Sequence, residues 1–200
     1  RIPDFDIHSI PDHDPAVFKM LSDGKTSGVF QMESAGMTGV CVGLKPQNIE
    51  DITAIIALYR PGPMESIPRF IACKQNPDKV KYKHPMLEPI LKVTYGCIVY
   101  QEQVIRIFQE LGGYSLGQAD MVRRAISKKK KAQIEKERQT FIYGDSERGI
   151  EGCIARGVPE QTGKDIYDEI YDFANYAFNK AHAVSYAIVA YQTAYFKCHY

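Results

Sequence analysis

Residues 101–113 read QEQVIRIFQELGG and carry the clearest helical pattern in the chain. The apolar side chains of Val104, Ile107, Phe108 and Leu111 recur every three or four positions, so in a helix they lie on one face. The glycine pair that closes the stretch supplies the backbone freedom at which helices commonly end. The pattern predicts an amphipathic helix with one buried face, and the segments on either side indicate what buries it.

Four more helices are predicted on the C-terminal side. In LGQADMVRRAI (116–126) the helical period places Met121, Val122 and Ala125 toward the interior and the two arginines on another face. The other three are a long helix after the lysine run, through Ile134, Phe141 and Ile142, one in TGKDIYDEIYDFANYAF (162–178), and a final one in HAVSYAIVAYQTAYFKCHY (182–200). The final helix has few charges, so we expect it to be buried on much of its surface. It reaches the C-terminus without a cap, so we expect the chain to belong to a longer polypeptide.

The N-terminal side also predicts helices, which are interrupted by prolines. In DPAVFKMLSDG (14–24), Asp14 is suited to cap a short helix and Pro15 to occupy its first position. Two helices are predicted within 34–59, and the prolines of RPGP (60–63) must end the second one. The remaining predictions are short helices in ESIPRFIACKQNP (65–77) and HPMLEPILK (84–92), and a brief strand in YGCIVY (95–100).

Together these patterns predict a mainly α architecture. We expect a single multi-helix domain with at most a short β-strand or hairpin near 95–100. The polar side chains at 101–103 are expected to cap the helix that they begin or to hold neighbouring loops. Residues 1–13 are rich in acids and prolines and are expected to form a connector, while residues 14–200 form the domain. A hydrophobic content of 44% is sufficient to bury a core.

Composition limits the class of protein. No run of eighteen apolar residues occurs, and the N-terminus lacks the basic start and apolar stretch of a signal peptide, so we expect a cytoplasmic protein with no membrane partner. The five cysteines include no Cys-x-x-Cys pair, which argues against a zinc or redox motif. GKTSG (24–28) lacks the earlier glycine of a phosphate loop, and the five histidines show no metal-ligand spacing. We therefore predict no metal site.

The formal net charge of +1 conceals an uneven distribution. Residues 123–138 contain eight Lys or Arg against two glutamates, whereas residues 160–172 contain five acids against one lysine. If the first segment is helical, Arg124 and Lys128 share a face with Arg123 beside them, so several cations could converge on one polyphosphate. The alternative is a basic helix face that contacts only solvent.

A second stretch combines flat rings with hydrogen-bonding and cationic groups. It reads NYAFNKAHAVSYAIVAYQTAYFK (175–197), and its polar and aromatic members near the start are Tyr176, Phe178, Asn179, Lys180, His182, Ser185 and Tyr186. Rings can stack on a base or border a sugar, and a lysine can meet phosphate. The alternative is that Tyr176 and Phe178 are ordinary core residues.

Five motifs carry a resemblance to a known family. They are GVFQMES (28–34), YRPGPM (59–64), TYGCIVYQEQV (94–104), LGGYSLGQADMVRRAISKKK (111–130) and FNKAHAVSYAIVAYQTAYFK (178–197). In this order, from about Ile10 to Tyr200, the chain resembles the fingers domain of the alpha subunit of bacterial DNA polymerase III, a C-family replicative polymerase.

The resemblance implies a function and a set of site residues. The chain would bind the incoming deoxynucleoside triphosphate and nearby template-primer DNA during 5′–3′ DNA synthesis. The implied nucleotide-binding residues are Arg123, Arg124, Lys128, Tyr176, Phe178, Asn179, Lys180 and His182, and the implied DNA-binding residues are Lys129, Lys130 and Lys131. This sequence has Ala177 and Ala181 where relatives often have glycine and serine. The neighbouring functional groups are unchanged, namely the ring of Phe178, the amide of Asn179, the ammonium of Lys180 and the imidazole of His182. Contact of the three lysines with the DNA backbone and exposure to solvent remain equal alternatives.

The resemblance also implies that the catalytic groups and the metal ions lie outside this chain. The catalytic aspartates and the Mg²⁺ ions would belong to a palm outside this chain, so no catalytic residue is predicted here and the chain alone is expected to be inactive. Its partners would be the other polymerase domains and replisome subunits. Asp4 and Asp6 in PDFDI imitate the palm's metal motif, but GVFQMES follows too soon after them, so they are assigned to the connector.

Two other functions remain as alternatives. The chain could be a helical nucleic-acid-binding module that uses the basic segment without a nucleotide site. It could also be a structural or protein-interaction domain, for which the last helix, rich in tyrosine and alanine, would supply an apolar face.

Overall fold

A computed structural model describes residues 5–128, 131–174 and 176–200. Within these ranges most residues are helical, which confirms the mainly α prediction. The α-helices are α1 (Pro15–Ser22), α2 (Ala35–Leu44), α3 (Ile49–Leu58), α4 (Ile67–Gln75), α5 (Glu88–Leu91), α6 (Gln101–Gly112), α7 (Leu116–Ser127), α8 (Lys131–Tyr143), α9 (Glu160–Ala174) and α10 (Lys180–His199). Short 3₁₀ helices span Ile7–Ser9, Pro63–Ser66, Pro77–Lys79, Pro85–Leu87 and Lys92–Thr94. In the part of the chain that the structure describes, no helix is both long and apolar enough to cross a membrane.

Among the described residues, the apolar run at 95–100 forms no regular strand. Residues 96–100 are buried, and Val99 and Tyr100 meet Phe178, with which Tyr100 forms an isolated parallel bridge. Side chains take the place of a neighbouring strand. The Gln103 side-chain oxygen accepts hydrogen bonds from the backbone N–H groups of Val99 and Tyr100, at 2.8 and 2.9 Å. The Thr94 hydroxyl donates to the Cys97 carbonyl at 2.6 Å. These bonds satisfy buried backbone groups locally, so the run needs no continuous strand partner.

The helices form two compact units. The first contains residues 1–75 and 180–200, and the second contains residues 76–179. Helices α1 to α4 and α10 belong to the first unit, and α5 to α9 belong to the second.

The first unit is organised around the contact of α10 with α3 and α1. A stripe of small side chains on α10, formed by Ala183, Ala187, Ala190 and Ala194, is fully buried and allows the helices to approach closely. The predicted Asp14 cap of α1 is confirmed, since its carboxylate accepts a hydrogen bond from the Ala16 N–H at 2.8 Å.

The prediction that α10 is buried on much of its surface is confirmed for the face that carries the alanine stripe and Tyr191, but not for the opposite face. Ile188 and Val189 are each about two-fifths exposed, at 41% and 42%. They lie on the side of the helix opposite the alanine stripe. The low charge of this segment therefore reflects burial of the face that contacts α3 and α1.

The core of the second unit forms on the predicted face of α6. Val104, Ile107, Phe108 and Leu111 are all fully buried. The Phe108 ring packs edge-on against the rings of Tyr114, Phe141 and Tyr167, with centroids 5.2, 5.0 and 6.1 Å away. Ile134, Phe141 and Ile142 of α8 are buried in the same cluster, as the sequence predicts.

Helix α7 joins this core through Ala119, Val122 and Ile126, which follow one another at helical spacing. Val122 and Ala125 are buried as predicted, but the inward placement of Met121 is wrong, since that residue is 60% exposed. Its side chain lies about 100° around the helix from Val122, away from the core-facing stripe.

Candidate functional site

The predicted site residues fall in both units, and each group is described within its own unit. Arg123, Arg124 and Lys128 on or beside α7, and Tyr176, Phe178 and Asn179 before α10, belong to the second unit. Lys180 and His182 belong to the first unit. Lys129 and Lys130 lie outside the described residues, and Lys131 is described only as the first backbone position of α8.

The register of α7 is fixed by a capping box at its N-terminus. The Ser115 hydroxyl accepts a hydrogen bond from the Gln118 N–H at 3.3 Å, and the Gln118 side chain accepts one from the Ser115 N–H at 2.8 Å. These reciprocal bonds satisfy backbone groups that a helix start leaves unpaired. Because they fix the residue at which α7 begins, they also fix the positions of Asp120, Arg123 and Arg124 around the helix.

Arg123 and Arg124 meet at a single carboxylate. Arg123 donates from Nε and Nη2 to Asp120 Oδ1, at 3.0 and 2.8 Å. Arg124 Nη2 lies 2.8 Å from the other oxygen, Oδ2. The Arg123 side chain is 15% exposed and that of Arg124 is 67% exposed, so one guanidinium is sheltered and the other faces solvent.

Asp120 is ionised at neutral pH. The hydrogen bond from Arg123 is the largest influence, and it lowers the pKa of this carboxyl below its usual value of 3.8 although partial burial acts in the opposite direction. Because the folded pKa is depressed, the stabilisation from these bonds is present above the ordinary pKa and is lost as the pH falls through the lowered one. The arginines and Asp120 together carry a net charge of about +1 at pH 7.

Lys128 follows the last residue of α7 and caps its C-terminus. Its backbone N–H donates to the Arg124 carbonyl at 3.1 Å, so Arg124 and Lys128 remain one helical turn apart. A lysine at this position interacts favourably with the negative end of the helix dipole. The predicted proximity of Lys128 to Arg124 along the helix is thereby retained.

The start of α6 holds the stretch that precedes α10. Phe178 donates its N–H to the Val99 carbonyl at 3.2 Å, and its own carbonyl accepts a hydrogen bond from the Gln101 N–H at 2.9 Å. The Gln101 side chain also donates to the Ala177 carbonyl at 3.0 Å. These bonds fix the backbone on both sides of the Phe178 ring.

Glu102 completes this support. The Asn179 side-chain amide donates to its carboxylate, with Nδ2 and Oε1 2.9 Å apart. The prediction that the polar side chains at 101–103 cap α6 or hold neighbouring loops is confirmed. Tyr176, two residues before Phe178, is 42% exposed, so part of this residue faces solvent.

In the first unit, Lys180 and His182 lie in the first turn of α10. The Lys180 ammonium is 3.2 and 3.1 Å from the two carboxylate oxygens of Glu50. The His182 ring packs on Tyr186 with centroids 4.4 Å apart, and the Tyr186 ring contacts Phe30 at 5.5 Å. These contacts hold both side chains on the first unit.

Sequence reasoning missed Asp120 and Glu50. It included Glu102 among the side chains that cap α6 or hold a neighbouring loop, but did not identify Asn179 as its partner. Asp120 precedes the two arginines by three and four residues, a spacing at which ion pairs form on helices, so it was detectable. Glu102 and Glu50 are 77 and 130 residues from their partners, and no local signal could have identified these pairings.

The acids of the opening stretch have local structural roles where they are described. Asp6 accepts a hydrogen bond from the His8 N–H at 2.9 Å and caps a short 3₁₀ helix. Asp14 contacts a nitrogen of the His199 ring at 2.8 Å in addition to capping α1. Asp4 lies outside the described residues. Among those that are described, no three His, Cys, Asp or Glu side chains are grouped closely enough to hold a metal ion.

Comparison with known proteins gives consistent matches. A family model described as the bacterial DNA polymerase III alpha subunit finger domain matches residues 1–149. A DNA polymerase III subunit alpha from Staphylococcus epidermidis is 50% identical over 195 residues, which cover 98% of this chain and 18% of that protein. A protein of the same name from Staphylococcus aureus shows the same identity and coverage. The chain therefore spans 18% of the length of these curated relatives.

Proposed function

The chain belongs to the finger-domain family of the bacterial DNA polymerase III alpha subunit, and from this premise we propose that it binds the incoming deoxynucleoside triphosphate and nearby template-primer DNA during 5′–3′ synthesis by a replicative polymerase. The full-length polypeptide would be a DNA-directed nucleotidyltransferase that acts in the cytoplasm with other polymerase domains and replisome subunits. This chain alone is expected to be inactive, because the catalytic aspartates implied by the family resemblance belong to a palm.

The pair of arginines at Asp120 is the observation that carries the proposal. Arg123 and Arg124 bond to the two oxygens of one carboxylate, so their guanidinium groups lie close together on α7. Guanidinium groups bind phosphate oxygens through paired N–H donors, and two of them side by side suit a chain of phosphates. Lys128 adds a third cation one turn along.

The connection between α6 and α7 supports a common site in the second unit. The two helices contact each other and are joined by residues 113–115, the arrangement of an αα-hairpin. In such a hairpin the end of the second helix returns toward the start of the first. The start of α6 holds Phe178 and Asn179, so we propose that the arginines receive the phosphates while the nearby ring and amide border the base and sugar.

The resemblance extends a role in nucleotide binding to Lys180 and His182 on α10. This role stays a prediction. Lys180 is a partly exposed cation held by Glu50, and His182 presents an imidazole stacked on Tyr186. Both groups belong to chemical types that bind phosphate or border a base.

Phosphoryl transfer depends mainly on positioning and charge stabilisation, and both can be supplied by cationic side chains on the triphosphate. Mg²⁺, where bound, neutralises the developing negative charge. The described residues contain no cluster of metal-ligating side chains, so they do not fit a metal site and we assign no step to a metal within this chain. In the proposal, Mg²⁺ belongs to the palm.

The proposal is tested by Arg124→Ala in the full-length polypeptide that contains this chain. We expect the KM for nucleotide in primer extension to rise about tenfold, because a hydrogen bond to a charged group contributes about 1.5–3 kcal/mol. The matched control is Arg106→Ala on α6, which removes an exposed arginine paired with Glu110 at 3.9 Å. Unchanged nucleotide dependence in a folded Arg124→Ala protein would overturn the proposal, and a loss of DNA affinity alone would favour a nucleic-acid-binding module.

The role of Lys129, Lys130 and Lys131 requires a separate measurement. Replacing all three with glutamine in the full-length polypeptide removes three consecutive positive charges, at 129–131. If they bind the DNA backbone, the slope of log affinity against log salt concentration becomes shallower by about 0.9 for each phosphate that is no longer neutralised. An unchanged slope would assign them to solvent.

A further inference from the structure

Asp120 occupies an unusual position for an acid in a proposed phosphate-binding site. Its carboxylate lies between two guanidinium groups that are expected to bind an anion, so it adds negative charge where negative charge must enter. Its bonds are unequal, because Oδ1 accepts two hydrogen bonds from Arg123, whereas Oδ2 meets a single nitrogen of Arg124. Asp120 therefore constrains Arg123 more strongly than Arg124.

We propose that Asp120 is a positioning residue that orients the guanidinium of Arg123 for the triphosphate, an inference that rests on the proposed function. A guanidinium carries five N–H donors in a rigid planar fork. Asp120 engages the Nε and Nη2 edge of Arg123, and this contact sets the plane of the group. Only 15% of the Arg123 side chain is exposed, so the surrounding residues leave it little room to adopt other orientations.

Two effects of removing Asp120 oppose each other. Without Asp120 the Nε and Nη2 donors of Arg123 are no longer aligned by a carboxylate, and the absence of one charged hydrogen bond corresponds to about a tenfold change in affinity. Removal of the negative charge favours any anion nearby. A unit charge about 8 Å away in water accounts for about a twofold gain, and the Mg²⁺ that accompanies a triphosphate neutralises most of its remaining charge. Orientation is therefore the larger effect, and Asp120→Ala should raise the nucleotide KM about fivefold.

The test is a double-mutant cycle in the full-length polypeptide, with nucleotide KM and kcat measured by primer extension. The variants are Asp120→Ala, Arg123→Ala and the double variant. If Asp120 acts through Arg123, adding Asp120→Ala to the Arg123→Ala variant should no longer raise KM fivefold. Only the charge effect then remains, so the KM of the double variant should equal that of Arg123→Ala or lie up to about twofold below it. The matched control is Glu110→Gln on α6, which removes the same charge beside an arginine at helical spacing and should leave KM unchanged.

Asp120→Asn provides a second variant with little risk to folding. Its amide oxygen can still accept from Arg123, so we expect its KM to stay within about twofold of the unmodified protein. Circular dichroism establishes that each variant keeps its helical content. The inference is overturned if Asp120→Ala leaves KM unchanged, or raises it equally with and without Arg123.

These outcomes are distinct from failure of the proposed function. If neither Arg123→Ala nor Arg124→Ala changes the nucleotide KM, the function itself is wrong. If the arginine variants raise KM and Asp120→Ala does not, only the positioning role of Asp120 is wrong.

Discussion

Asn179 donates its side-chain amide to Glu102, with Nδ2 and Oε1 2.9 Å apart, although 77 residues separate them in the chain. One residue earlier, the Phe178 backbone exchanges hydrogen bonds with Val99 and Gln101. Backbone and side chain together attach this stretch to the start of α6. The position of the Asn179 amide therefore depends on the charge state and length of the side chain at 102.

Asn179→Asp should impair nucleotide incorporation strongly. The substitution keeps the shape of the side chain but places a second carboxylate against Glu102, and two like charges at hydrogen-bond distance repel. It also adds negative charge beside the proposed position of the base and sugar of an incoming nucleotide that is itself an anion. We expect kcat/KM in primer extension by the full-length polypeptide to fall by about tenfold or more, equivalent to about 1.4 kcal/mol.

A reciprocal exchange provides the control for this prediction. In the double variant with Asn179→Asp and Glu102→Gln, the amide at 102 can donate to the carboxylate at 179, so the hydrogen bond returns with its direction reversed. We expect the double variant to recover part of the missing kcat/KM. A double variant no more active than Asn179→Asp would show that the contact with Glu102 does not matter.

The first unit depends on a buried ion pair between Lys74 and Asp51. The ammonium and carboxylate are 2.7 Å apart, and their side chains are only 8% and 2% exposed. Lys74 also donates to the Lys45 carbonyl at 2.8 Å, just beyond the end of α2. Lys74→Met would leave a buried carboxylate without its cation, so we expect a loss of about 3–5 kcal/mol in the free energy of unfolding, measured with urea.

Lys19→Met is the matched control for that substitution. Lys19 pairs with Asp23 at the same 2.7 Å distance, but its side chain is 73% exposed. Exposed pairs contribute little, because water and salt screen them, so we expect a change below about 1 kcal/mol. Equal losses in the two variants would contradict the importance assigned to burial.

The helices of the second unit could be predicted from sequence because local patterns determine them. The apolar face of α6, from Val104 to Leu111, has the same period as the helix it forms, and all four of its members are buried. The capping box at Ser115 and Gln118 likewise lies within one turn of sequence. Such features depend on neighbours along the chain and need no knowledge of the tertiary structure.

The rest depended on particular side-chain contacts that the apolar and charge patterns do not reveal. The apolar run ending at Tyr100 suggested a strand, but Gln103 supplies its hydrogen bonds instead. The low charge of α10 suggested burial on much of its surface, and the face with the alanine stripe is buried, but Ile188 on the opposite face is 41% exposed. For the candidate site, the charge pattern identified the basic segment and the resemblance implied its role, whereas the pairing of Glu102 with Asn179 and of Glu50 with Lys180 became visible only in the folded chain.

The cysteines should divide into two classes of reactivity. Cys41, Cys97 and Cys153 are buried, whereas Cys73 and Cys198 are partly exposed. Burial raises the pKa of the Cys41 thiol to about 11 and that of Cys153 to about 12. The thiolate is the reactive form, and a thiol with a pKa of 11 is only about one part in a thousand ionised at pH 8.

Mass spectrometry after iodoacetamide treatment at pH 8 should find label on Cys73 and Cys198 first, and on the three buried cysteines only after denaturation. Rapid labelling of Cys41 or Cys153 in the folded protein would mean that the cores of the units open readily.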